Sequence, residues 1–303
     1  MATTTDPERV ASGRPRRKWS ADPVQLLAAG LLWVGLVVFS YPNASAWVAQ
    51  YNQSRIVRDY TEAIDRVKPS KLEQLAAARA YNEELSSGAV YQAGSNIAEG
   101  SGELADGVTP YYQQLNPGFG GPMARLKIPR IDLDLPVYHG TSEETLLRGL
   151  GHLQGTSLPV GGVGTRSVIT GHRGLASAAM FTELDKVGMG DTFTVEVLGE
   201  VLTYRVVETK VVAPDETQAL LPDPHRDLLT LVTCTPLSIN THRILLTGER
   251  VTPTPQVSLD AAGADPTIPH FPWWAVTLAG GIALVGVDAW RSGYPRRAPR
   301  HRL

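Results

Sequence analysis

Two stretches of the chain are apolar from end to end, and between them the spacing of hydrophobic positions changes from helical to alternating. Residues 24–41 carry no charge, and residues 273–290 carry one, Asp288. At about 1.5 Å per residue each makes a helix of about 27 Å, close to the roughly 30 Å of a bilayer core. Both are predicted to span a membrane. Ala44-Ser45-Ala46 resembles a signal cleavage site, but an apolar run of about 18 residues exceeds the 7–15 of a secretory signal core, so the first segment is read as a retained anchor. Gly280, Gly281 and Gly286, with the basic residues that follow, favour a second span over a buried core helix.

Residues 47–86 read as helical, with an interruption at Pro69, and residues 71–85 place Leu72, Leu75, Ala76, Arg79 and Leu85 at amphipathic spacing. Residues 87–122 are rich in glycine and proline, a long irregular stretch of the kind that forms lids or linkers. From Met123 the pattern alternates. Strands are predicted at 124–128, 131–138, 167–170, 192–197, 201–212, 228–233 and 243–251, and a short helix capped by Ser142 at 142–150. Short strands separated by tight turns imply a closed or sandwich-like β domain of about 130 residues. The divisions are a tail at 1–23, a span at 24–41, a helical pre-domain and lid-like loop at 42–122, a β domain at 123–252, a linker at 253–272, a span at 273–290 and a tail at 291–303.

Charge orients this arrangement. Arg14, Arg16, Arg17 and Lys18 precede the first span, and Arg291, Arg296, Arg297, Arg300 and Arg302 follow the second, so both termini are expected in the cytoplasm with the domain outside. The tails carry the positive charge of a chain whose net charge is −2, which leaves the middle at −8. An acidic ectodomain has no electrostatic footprint for nucleic acid.

Cys234 is the only cysteine, so the chain forms no internal disulfide, and the thiol is either a small core hydrophobe or a reactive group. Catalysis by a thiolate needs a cation to lower its pKa and a group to move protons. Cys234 ends a β-branched run, Arg243 opens the next strand, and His172 follows an earlier strand at a glycine-flanked turn. These strand ends can share one rim. His139, His152, His225 and His242 are scattered and lack metal-site spacing, and no phosphate loop or dinucleotide fingerprint is present, so no metal or cofactor is expected.

The string TLVTCTPLSINTHRILLTGERV, with ITGHRG, GHLQGTSLPVGG and LPVYHGTSEETLLRG, resembles the sortases, the cell-surface transpeptidases of Gram-positive bacteria. The likeness is greatest to the pilin-polymerising class C group, as found in actinobacteria. It implies an eight-stranded β-barrel with an N-terminal helical pre-domain and two transmembrane helices. It also implies Cys234 as nucleophile, His172 as general acid/base and Arg243 as the cation that holds the substrate and its oxyanion, with Thr233 and Thr235 as substrate contacts. The implied substrates are surface or pilin proteins bearing a Leu-Pro-x-Thr-Gly-type sorting signal, cleaved between Thr and Gly. The implied acceptor is a pilin lysine in pilus assembly, or a cell-wall precursor amine in a housekeeping enzyme. A non-catalytic anchored adhesion or scaffold domain is the alternative outside enzymes. Class C enzymes commonly carry a lid with Asp-Pro-aromatic, and no such tripeptide precedes Met123; Asp106 and Thr109-Pro110-Tyr111 are the nearest material. A lid in residues 87–110 is therefore expected to be weak or absent.

Overall fold

The computed structural model describes residues 19–20, 22–85, 89–91, 98–100, 110–118, 120–175, 178–237 and 239–294. The basic residues of the two tails, except Arg291, and most of the lid-like stretch lie outside the described residues. The chain divides into two units, residues 45–271 and a smaller one formed by residues 1–44 and 272–303.

The helices are α1 (Pro23–Ala63), α2 (Lys71–Glu84), α3 (Glu143–Arg148), α4 (Gln256–Asp260) and α5 (Trp273–Ser292). The strands are β1 (Ala89–Tyr91), β2 (Ala98–Gly100), β3 (Ala124–Ile128), β4 (Leu133–His139), β5 (Leu150–His152), β6 (Thr165–Thr170), β7 (Thr192–Val197), β8 (Glu200–Val212), β9 (Asp227–Thr235) and β10 (His242–Arg250). In the lid-like stretch, β1 and β2 form an antiparallel ribbon pairing Ala89 with Gly100. The other eight strands close a barrel in the order β10-β8-β7-β3-β4-β5-β6-β9. Two of its joints, β4 with β5 and β6 with β9, are parallel, and the rest are antiparallel. At the bulge in β10, a Cβ on Gly248 would stand 2.6 Å from the Phe193 ring, so only glycine lets the strand pass this core aromatic.

The smaller unit contains α5 and the first part of α1, and both helices are long and apolar enough to cross a membrane. They touch where a Cβ on Gly281 would lie 2.5 Å from Leu36 Cδ2. Near their other ends, Trp19 Nε1 donates to Trp290 O (3.1 Å) and Ser20 N to Gly293 O (3.0 Å).

In the larger unit the pre-domain helices dock on the barrel. Ser70 and Glu73 form a reciprocal capping box that starts α2. Leu75, Ala78 and Tyr81 of α2 join the barrel core, whereas Leu72, expected on the apolar face, is 80% exposed. Asn82 bonds the backbone of Leu158 in both directions, at 3.0 and 2.7 Å. In the later part of α1, the Tyr60 hydroxyl donates to Met123 O (3.3 Å) and accepts from Leu198 N (2.9 Å). Beyond the lid-like stretch, Tyr111 is buried, and its hydroxyl receives Gly140 N at 3.0 Å.

Residues 253–272, predicted to be a linker, include α4 and are pinned to the barrel by charged groups that local sequence patterns do not reveal. Arg125, 1% exposed, grips Asp134 through two hydrogen bonds (2.7 and 2.6 Å) and donates to Ala264 O (2.8 Å). Lys127 pairs with Glu196 (2.6 Å) and donates to Ala261 O (3.0 Å). Glu196 receives Gly263 N (3.3 Å) and Asp134 receives Thr267 N (3.3 Å). Removing one partner of a buried ion pair strands the other. Asp134→Ala is expected to lower the unfolding free energy by about 3 kcal/mol. A loss below about 1 kcal/mol in urea titrations would show that the pair is as well solvated as a surface bridge.

Candidate active site

Strand β9 carries seven consecutive buried residues, Leu228 to Cys234, because both of its faces are covered. Leu229 and Leu231 point into the barrel core. Side chains alternate along a strand, so Thr230, Val232 and Cys234 share the other face, where Val232 packs with Val168 and Leu245. Arg243 of β10 is the direct cross-strand partner of Cys234. Paired residues in an antiparallel ladder project to the same side, which brings guanidinium and thiol together. Arg243 is 5% exposed and its Nη1 donates to Asn240 O (2.9 Å) and His242 O (3.1 Å), so the turn joining the strands aims the cation.

His172 approaches from the other flank. β6 runs parallel to β9 with Thr170 opposite Val232, and Gly171 N donates to Val232 O at 3.1 Å, carrying the pairing beyond the strand. The Thr233 hydroxyl donates to Gly171 O (2.8 Å), so His172, one residue on, is brought to the rim that carries Cys234. Gly171 fits because a Cβ there would lie 2.6 Å from Leu150 Cδ2 and 2.8 Å from the Phe181 ring. The backbone then turns away, with His172 O receiving Phe181 N at 2.9 Å. The imidazole is largely enclosed, and its Nε2 lies 3.5 Å from Glu143 Oε1 without hydrogen-bond alignment. Glu143 opens α3, behind the Ser142 cap.

Burial pushes the Cys234 thiol above its ordinary range, and Arg243 pulls it partly back. Desolvation is the larger effect. Thr233 is buried, and its hydroxyl donates to Gly171 O at 2.8 Å. Thr235 is partly exposed and receives Arg173 Nη1 at 2.9 Å. Arg173 was missed by sequence reasoning, although its place beside His172 in ITGHRG was the available signal.

The other histidines stand elsewhere. Burial drives His152 down to about 4, so its ring is neutral. Its Nε2 bonds Ser157 O at 2.9 Å, leaving Nδ1 to the Tyr111 hydroxyl at 2.9 Å. His139 Nε2 bonds Gln114 O at 2.8 Å, and burial lowers that ring as well. Among the described residues no group of three or more potential ligands is placed to hold a metal.

Residues 126–251, which hold all three of these site residues, match the model of the sortase domain. Sortase C-1 from Actinomyces oris is 44% identical over 60% of this chain and 99% of its own, with a TM-score of 0.54. The chain belongs to the sortase family. Sortase C1 from Streptococcus agalactiae, 36% identical over 66% of this chain and 100% of its own, gives a TM-score of 0.57, so the structure is class C-like. Sortase D from Bacillus subtilis (strain 168) is 30% identical over 130 residues, and the match spans 42% of this chain and 63% of that relative. Sortases are cysteine transpeptidases acting on proteins with sorting signals and on amine nucleophiles, and this one has a single cysteine.

Replacing Arg243 with lysine keeps a charge but removes the planar fork. Arg243→Lys is expected to lower kcat/KM for a sorting-signal peptide by roughly 100-fold, the scale of losing one oxyanion donor. A near-wild-type value would assign Arg243 to structure alone.

Proposed function

We propose that this sortase is a membrane-anchored pilin polymerase that cleaves Leu-Pro-x-Thr-Gly-type signals between Thr and Gly and joins the acyl group to a pilin lysine. The observation that carries the reading is the in-register pairing of Cys234 with Arg243 beside the His172 turn. Cys234 Sγ, its proton passed to His172, attacks the Thr carbonyl as the thiolate, and Arg243 balances the charge developing on its oxygen. His172, as the imidazolium, gives its proton to the leaving Gly amine as the C–N bond breaks, and a thioester remains. His172 then takes a proton from the incoming amine as it displaces Sγ. Thr235 is partly exposed next to Cys234 with its hydroxyl engaged by Arg173, and the Thr233 hydroxyl is committed to Gly171, so in this reading both flank the thiol without offering the peptide a free hydroxyl.

The polymerising role over single wall attachment is supported by the docked helical pre-domain, the second apolar helix and the likeness to class C structures. Incubating the protein with a sorting-signal peptide should trap an adduct on Cys234 with the mass of the peptide through Thr. Transfer of that acyl group to a pilin domain's lysine supports polymerisation; transfer only to a cell-wall precursor amine refutes it.

The same reading places residues 24–41 and 273–290 in the membrane and the domain between them outside. The bonds from Trp19 and Ser20 to Trp290 and Gly293 support this by putting the two ends that face the cytoplasm in this reading side by side. Protease added to protoplasts should digest the domain and spare an epitope at either terminus. A C-terminal epitope lost to external protease would overturn the two-span topology.

A further inference from the structure

Cys234 and Arg243 are fixed relative to each other by a β ladder, but His172 lies past the end of its strand. Backbone bonds from Gly171 N to Val232 O and from Phe181 N to His172 O hold its main chain, and side chains add two further supports. One support comes before it, where Thr233 donates to Gly171 O. The other comes after it, from Arg173, whose side chain is only 7% exposed. Arg173 Nη1 donates to Thr235 Oγ1 (2.9 Å), Nε donates to Thr182 O (3.3 Å) and Nη2 pairs with Asp185 (2.8 Å). One planar group thus ties the start of the turn to its far end and to the residue after the cysteine, a three-way geometry that an ammonium cannot reproduce. Contacts 171–233 and 173–235 bracket His172 on one segment and Cys234 on the other.

We propose that Arg173 is a positioning residue of transpeptidation, and that its contact with Thr235 holds His172 against Cys234. The proposal rests on the functional reading above. Asp185 is half exposed, so its pairing with Arg173 adds little to stability, and the effect of losing Arg173 should be mainly kinetic. Positional errors of about 1 Å in such a site cost about 100-fold in rate.

The test uses full-length protein in detergent micelles, with Arg173→Ala, Arg173→Lys, Thr235→Val and Thr235→Ser. Arg173→Ala and Thr235→Val should each lower kcat roughly 10- to 100-fold with KM changed less than about threefold. Thr235→Ser should recover most of the loss, Arg173→Lys little of it, and the double variant should be no worse than the poorer single one. If Arg173→Ala does not fold, Thr235→Val, which leaves the Asp185 and Thr182 contacts in place, carries the test. A second readout is the rate of Cys234 alkylation as a function of pH. The positioning variants should displace that curve in the direction and to the extent that His172→Ala does. Wild-type kcat in Thr235→Val, losses that multiply in the double variant, or an unmoved alkylation curve would each overturn the proposal. Wild-type protein that cleaves no sorting-signal peptide would defeat the functional reading instead, and the alkylation curves would still decide whether Arg173 holds His172 in place.

Discussion

Cys234→Ala is expected to remove cleavage of a sorting-signal peptide to the floor of the assay, a loss on the order of 10⁴-fold or more, because no other group in the site can form the acyl bond. The protein should stay folded. The substitution deletes one sulfur at the end of a strand whose remaining contacts persist, at a cost of about 1 kcal/mol. A urea midpoint close to wild type, together with complete inactivity, separates a chemical role from a packing role. Turnover at the wild-type rate would end the enzyme reading.

His172→Ala should be nearly as damaging for a different reason. Proton transfer by a positioned side chain is worth roughly 10²–10⁴-fold, and here both acylation and resolution need it. The variant retains its thiol, so alkylation of Cys234 continues while transpeptidation fails. Burial holds the thiol proton on above the ordinary range, so alkylation should keep rising with pH past the point where an exposed cysteine levels off. Residual peptide cleavage within about tenfold of wild type would mean that another group carries the proton.

How much could be seen in the sequence depends on how local each feature is. The β-branched run before Cys234 and the short interval to Arg243 are local signals, and they mark two neighbouring strands and the pairing across them. The approach of His172 is not local. It depends on β6 lying parallel to β9, a pairing between distant segments that periodicity cannot report, and only the family resemblance supplied it. The three-residue strand β5 is too short to show alternation, and only its first residue falls within the helix expected over 142–150. Nothing in the strand pattern singles out Arg125, Lys127, Asp134 and Glu196, yet they form a cluster under the segment expected to be a linker. Pro42, which should interrupt a helix, instead lies within α1.

Closure of the barrel constrains how any peptide can be recognised. An open sheet offers a row of unpaired amides and carbonyls, and many peptide-binding domains exploit it by accepting their ligand as an extra strand. In this barrel both neighbours of every strand are occupied, so that generic, sequence-tolerant mode is closed at the catalytic wall. A sorting signal must be held by side chains and loop backbone, and discrimination among signals falls to the few groups that surround the thiol. The same closure leaves the barrel no long open strand edge onto which another protein could add a strand.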